Sequence, residues 1–379
     1  MKGSRYGYRY FWILLFIVWI MMNQNALNSQ AKTGFSTLKP EGVMATAVKT
    51  KVVVSWEPVQ GASGYRVYEA VENGETEPVF RKVGEAKRCR LVLTGRNRGD
   101  SYRYYVRAWK QKKNGKKTVG KKSAEAVTIV AEEGISTISN LLRTAVAPVG
   151  SVMYVWGGGW NKADTAAGKE ARSIGLSPDW RAFTAKQNAS YNYRNYRYQI
   201  HDGLDCSGYV GWCVYNVFNT TNQKKGYVYL ASKQAEAFSK MGYGSYRRAD
   251  QVTDYQAGDI MSSTCSCCGH VWIVVGDCED GSVVLVHSSP AGVRLCGTVT
   301  PEGRKDSEAC ALAEEYMKRY YSDWYRRYPD VCKGSTYLQH YGQMRWKSSG
   351  KGAVLSDPDG FRGMYADEIL KKLFEETES

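Results

Sequence analysis

Histidine is scarce in this chain, with four residues among 379. Each one therefore carries weight as a candidate for acid–base chemistry. Acidic residues are few beside basic ones, 37 against 52, and the formal net charge is +15. Such a surface attracts polyanions and excludes an acidic, self-solvating chain. Proline is infrequent at nine residues and the hydrophobic fraction is 43%, which excludes a Pro-rich disordered polymer. No apolar run reaches the roughly 20 residues that a spanning helix needs. The longest, Phe11–Met22, follows Lys2, Arg5 and Arg9 and precedes Ser29-Gln30-Ala31. That order reads as a cleaved signal peptide over residues 1–31, and the remainder would be exported with no stable membrane insertion. There is no Gly-rich phosphate loop, internal repeat or coiled-coil heptad.

Cys206 lies in Asp205-Cys206-Ser207-Gly208, and two of the four histidines follow it. From Cys206 to Phe218 the apolar residues Val210, Val214 and Val217 recur at helical spacing, so Cys206 sits near a first turn. Unpaired N–H groups there are expected to lower the thiol pKa. Val271–Val275 and Ser282–Val286 are β-branched runs of strand length around a turn, Gly276-Asp-Cys-Glu-Asp-Gly281. With Asp277–Asp280 as a four-residue loop, Gly276 pairs with Gly281 and His270 with His287. Both rings would then share one face, with Cβ atoms about 5 Å apart. A lone Cys is ordinarily packing, and Cys213 on the same helix reads that way. A thiol at a helix start with two imidazoles on paired strands is instead the equipment of a thiol hydrolase.

The series Tyr154-Val-Trp-Gly157-Gly158, Asp205-Cys206-Ser207-Gly208, Gly258-Asp259-Ile260, Gly269-His270-Val271 and His287 resembles the NlpC/p60-type cell-wall cysteine peptidases. The resemblance covers roughly residues 135–300. It implies a compact α+β papain-like fold with Cys206 as nucleophile, His270 as base and His287 as the orienting third residue. It also implies that Tyr154, Asp205 and Ser207 line the substrate cleft. The expected reaction is cleavage of peptidoglycan stem peptides at a D-γ-glutamyl–diamino acid bond, with no metal or cofactor. Two departures stand out. Residues 159–204 form a long insert between the first two motifs, with Tyr191, Tyr193, Tyr196 and Tyr198 interleaved with Arg. They read either as a stacking platform or as a surface strand. Cys265, Cys267 and Cys268 precede His270 and read as a disulfide or packing.

Residues 38–130 form a separate unit of alternating short strands, including Val52–Trp56, Gly64–Tyr68 and Tyr102–Trp109. It resembles a fibronectin type III domain, with Trp56 in its core and Tyr102 as its corner tyrosine. Arg98-Gly99-Asp100 is read as a chance tripeptide. Residues 306–379 are expected as a C-terminal extension packed on a catalytic domain at 135–305, starting with a helix over Ser307–Tyr328 that Pro329 ends. Of the ten cysteines, Cys310 and Cys332 are the first candidates for a disulfide. The leader carries three bases and no acid, so the exported remainder keeps a charge of +12. Expected partners are peptidoglycan and anionic wall polymers, with no nucleic-acid motif present. The expected location is secreted and wall-associated. An amidase or acyltransferase on the same scaffold, or a non-catalytic wall-binding or adhesive protein, are the competing functions.

Overall fold

The computed structural model describes residues 34–71, 79–132, 134–197, 201–218, 225–264 and 269–374. The expected leader over 1–31, Tyr198 and the Cys265, Cys267 and Cys268 cluster lie outside these residues.

The first unit is a two-sheet sandwich. Its strands are β1 (Met44–Val48), β2 (Lys51–Ser55), β3 (Gly64–Val71), β4 (Val79–Ala86), β5 (Arg90–Leu93), β6 (Ser101–Gln111), β7 (Lys117–Val119) and β8 (Ala126–Ile129). One sheet runs β1-β2-β5, the other runs β4-β3-β6-β7, and β8 pairs with β6. This is a fibronectin type III-like arrangement. β6 alternates burial along its length, with Tyr104, Val106 and Ala108 turned inward. Trp56 is buried and packs on Tyr65 with centroids 5.2 Å apart. The Tyr102 hydroxyl accepts from the Asn97 N–H at 2.8 Å, which is the corner contact expected of it.

The second unit is α+β. Its first helices are α1 (Ile138–Val146), α2 (Pro178–Thr184), α3 (Cys206–Phe218) and α4 (Gln234–Lys240). Strands β9 (Gly244–Arg247), β10 (Ile260–Ser263), β11 (Val271–Asp277), β12 (Val283–Ser289) and β13 (Gly292–Thr298) follow. The chain ends with α5 (Glu308–Tyr320), α6 (Ser322–Arg327), β14 (Cys332–Lys333), α7 (Thr336–Gln339), β15 (Tyr341–Trp346) and α8 (Ala366–Leu373). The seven-stranded sheet runs β14-β13-β12-β11-β10-β15-β9. Every position of β12 and β13 is buried, so both faces are covered. Helix α3 packs on β11 and β12, α5 on β12 and β13, and α8 on β11.

Residues 306–374 therefore do more than pack on a finished domain. β15 is hydrogen-bonded between β10 and β9, inside the sheet. Nothing in the alternation of Tyr341–Trp346 reveals a partner so distant in sequence. The expected helix over Ser307–Tyr328 is broken in two at Tyr321, and Ser307 caps it by accepting from Cys310 N. Cys310 and Cys332 form a disulfide between α5 and β14. Closing a loop of 22 residues stabilises by roughly 3 kcal/mol in the chain-entropy view.

The boundary near residue 130 is also less clean than the sequence implies. Val127 and Ile129 of β8 belong to the larger core, not to that of the sandwich. Across the same seam, Arg181 Nη1 donates to the Val53 carbonyl at 3.1 Å.

Candidate active site

The start of α3 is set by backbone crowding. The loop at Gly157–Trp160 lies against it so closely that a Cβ on Gly208 would collide with the Gly158 carbonyl. Gly157 and Gly159 have φ of 76° and 91°, a conformation that favours glycine. Asp205 caps the helix by accepting from Gly208 N at 2.7 Å. Its second oxygen accepts from Gly157 N at 3.2 Å. Ser207 Oγ donates to Asp205 at 2.9 Å and accepts from Trp160 Nε1 at 2.9 Å. Asp205 and Ser207, expected to line the cleft, are buried and engaged as braces of this turn. Burial lifts the Asp205 carboxyl to about 6, against the pull of Gly208, Ser207 and Gly157.

Cys206 follows this cap and is itself buried. Its sulfur approaches the backbone on both sides of His270. It lies 4.0 Å from the Gly269 carbonyl, and the Val271 amide bonds toward it. The His270 backbone is held by Ser263, whose Oγ accepts from His270 N at 3.0 Å. The expected lowering of the thiol pKa is not what results. Burial, and then the Asp205 charge, push it well above its ordinary value. The amides of Val271, Ser207 and Cys206 oppose this and do not prevail. Desolvation of a charge outweighs a few N–H dipoles when the site is dry.

The two histidines meet as expected, by a different route. Asp277 pairs with Val283 and Gly276 with Val284, so the turn is Cys278–Ser282. A bulge at Val275 then restores pairing at Val274 with Leu285 and Ile273 with Val286. Continuing this register places Trp272 opposite His287, and His270 becomes a diagonal neighbour on the same face. The turn alone offsets the strands by an odd number of residues and would turn His270 away. The bulge corrects the parity. His270 Nε2 lies 2.9 Å from His287 Nδ1, with ring centroids 5.0 Å apart. Burial lowers His270 to about 4, with Lys333 adding to it. His287 is lowered further by burial, His270, Arg294 and Lys333. Burial therefore works against charge on the thiol and on both imidazoles.

The remaining walls are aromatic. Tyr154 is close enough to Cys206 and Asp205 that both add to the raising of its hydroxyl, behind burial. Tyr337 and Tyr341 stack at 5.3 Å and stand 5.8 and 6.4 Å from the His270 ring. They come from the C-terminal segment, which carried no chemistry in the sequence. Cys296 was missed as well. Its sulfur lies 3.5 Å from His287 Nε2, at the far end of the histidine pair.

The tyrosines of the insert divide. Tyr191 and Tyr196 stack at 5.2 Å, and both pack on Phe183. The Tyr191 hydroxyl donates to the Tyr154 carbonyl. Tyr193 instead contacts Tyr154 edge-on at 5.3 Å and stacks on Trp156, which is 45% exposed.

Among the described residues, no helix is long and apolar enough to cross a membrane. No protein-family model matches this chain. No curated protein matches it either. Solved structures match over about a quarter of its length. A fibronectin type III-like protein from Clostridium thermocellum is 24% identical, covering 24% of this chain and 91% of its own, with a TM-score of 0.20. The third fibronectin III domain of the human KIAA0343 protein is 21% identical, covering 26% of this chain and 88% of its own, with a TM-score of 0.22.

Proposed function

We propose that this chain is a secreted, papain-like cysteine endopeptidase of the NlpC/p60 type that cuts peptidoglycan stem peptides. One observation carries the reading: the His270 Nε2 to His287 Nδ1 contact of 2.9 Å, set beside a thiol at the start of α3. With Nε2 engaged, Nδ1 is the nitrogen left to His270 for the Cys206 proton.

Because burial opposes charge on both groups, general-base attack fits this site. Cys206 sulfur bonds to the amide carbonyl carbon while its proton passes to His270 Nδ1. The C–N bond then breaks, and His270 returns that proton to the leaving amine. Water, deprotonated by His270, cleaves the thioester and regenerates the thiol. Tyr154, Tyr337 and Tyr341 stand beside the thiol and the imidazole, where they would wall a substrate cleft, and Asp205 Oδ2 keeps a lone pair for a substrate ammonium. The bond favoured is D-γ-glutamyl to a diamino acid. The sandwich and the net positive charge bind peptidoglycan and anionic wall polymers, the sandwich acting as spacer or anchor. Incubating the protein with purified peptidoglycan and weighing the released fragments by mass spectrometry tests this. Fragments cut beside the γ-glutamyl residue support it. Release of intact stem peptide from glycan would make it an amidase, and wall binding without release would make it an adhesive protein.

A further inference from the structure

We propose that Cys296 is a positioning residue, which holds the histidine pair in the one proton arrangement that leaves His270 basic toward Cys206. The proposal deepens the hydrolase reading and rests on it. Each neutral imidazole carries one N–H, so a contact of 2.9 Å between His270 Nε2 and His287 Nδ1 holds one proton. There are two arrangements. In the first, His270 Nε2–H donates to His287 Nδ1, and the His287 proton sits on Nε2, aimed at the Cys296 sulfur. His270 Nδ1 is then bare and can accept a proton. In the second, His287 Nδ1–H donates to His270 Nε2, and His287 Nε2 accepts from the Cys296 S–H. His270 Nδ1 then carries a hydrogen and cannot serve as base.

The base role of His270 requires the first arrangement, and Cys296 stands where it can hold it. Its sulfur stands 3.5 Å from His287 Nε2, an ordinary N–H to sulfur separation. His287 and Cys296 are both fully buried, so water does not replace this contact.

Removing the sulfur leaves the His287 Nε2–H buried without an acceptor. An orphaned donor is costlier than a proton moved to the other nitrogen, so the pair turns to the second arrangement. The test is long-range 1H–15N correlation on the full chain with 15N-labelled histidine. In the native protein, His270 and His287 are both expected to carry hydrogen on Nε2. In Cys296→Ala, His270 is expected to carry it on Nδ1, with kcat on peptidoglycan falling about tenfold to a hundredfold and KM little changed. Cys296→Ser supplies an oxygen acceptor and is expected to restore both the Nε2 tautomer and most of the rate. Hydrogen on His287 Nδ1 in the native protein overturns the proposal, as do tautomers that Cys296→Ala leaves unchanged. The spectra need no substrate. If the tautomers move as stated while no Cys206-dependent cleavage exists, the proton arrangement stands and the hydrolase reading falls.

Discussion

Replacing Asp205 with Asn should make Cys206 easier to ionise, although it alters a residue of the site. The Asp205 charge is the second cause, after burial, of the raised thiol pKa. Two like charges several Å apart at an effective dielectric near 20 repel by about 1–3 kcal/mol. Removing one should raise the thiolate fraction at a given pH about tenfold. The perturbation is close to isosteric. Asn Oδ1 can still accept from Gly208 N and Ser207 Oγ, while its amide faces the Gly157 N–H and costs about 1 kcal/mol. The assay is alkylation of Cys206 by iodoacetamide at several pH values near 9, read as modified Cys206 peptide by mass spectrometry. An unchanged or slower rate in the variant would refute the reasoning. Stability supplies a second readout with a defined sign. The folded Asp205 carboxyl is raised from 3.8 to about 6, so its contribution is full below the ordinary value and is lost as pH rises through about 6. The ionised group costs on the order of 3 kcal/mol at higher pH. Urea midpoints at pH 4 and 8 should therefore move in favour of the Asn variant as pH rises. A relative shift in the opposite direction would mean that the cap amides outweigh burial.

Cys206→Ala should abolish wall hydrolysis with an unchanged urea midpoint, and loss with Cys213→Ala instead would move the nucleophile. His270→Ala should cost more hydrolysis than His287→Ala, because one moves the proton and the other orients it. Rates in the reverse order would exchange their roles. Trp156→Ala combined with Tyr193→Ser should slow turnover of a disaccharide-peptide more than of the same peptide without sugar, since Tyr193 contacts Tyr154 and stacks on the exposed Trp156. Equal losses on both substrates would sink the stacking role. Tyr191→Ser should mainly lower thermal stability, because its ring packs on Phe183 and Tyr196.

The sandwich was legible because its strands alternate and its turns are short, even though β2 pairs with β5 and β3 with β6 across intervening strands. Trp56 and Tyr102 were placed through the resemblance to a fibronectin type III domain. The second unit was legible only in pieces. Val271–Val275 and Val283–Val286 announce strands, yet β15 finds its partners β9 and β10 far upstream in the chain, a pairing that no periodicity describes. For the same reason Tyr337 and Tyr341 could not be placed beside His270 before the sheet was seen. Cys296 is similar: on a strand buried on both faces, the alternation that marks an inward residue is absent.

The histidine pair shows how two residues can be brought together by a register that differs from the expected one. What the chemistry requires is that two rings share a face, which is a statement about parity and not about direct opposition. The turn and the bulge at Val275 each break the simple count, and together they preserve its parity. Cross-strand diagonal neighbours are close enough for two imidazoles to meet. The thiol pKa shows the converse. The helix start was placed correctly, and its N–H groups do point at the sulfur, but the sign of the net effect depends on burial. Burial comes from the loop at Gly157–Trp160 and the walls at Tyr337 and Tyr341, none of which is local to Cys206. Position along a helix can thus be inferred from sequence spacing, whereas the energy of a charge there is a property of everything packed around it.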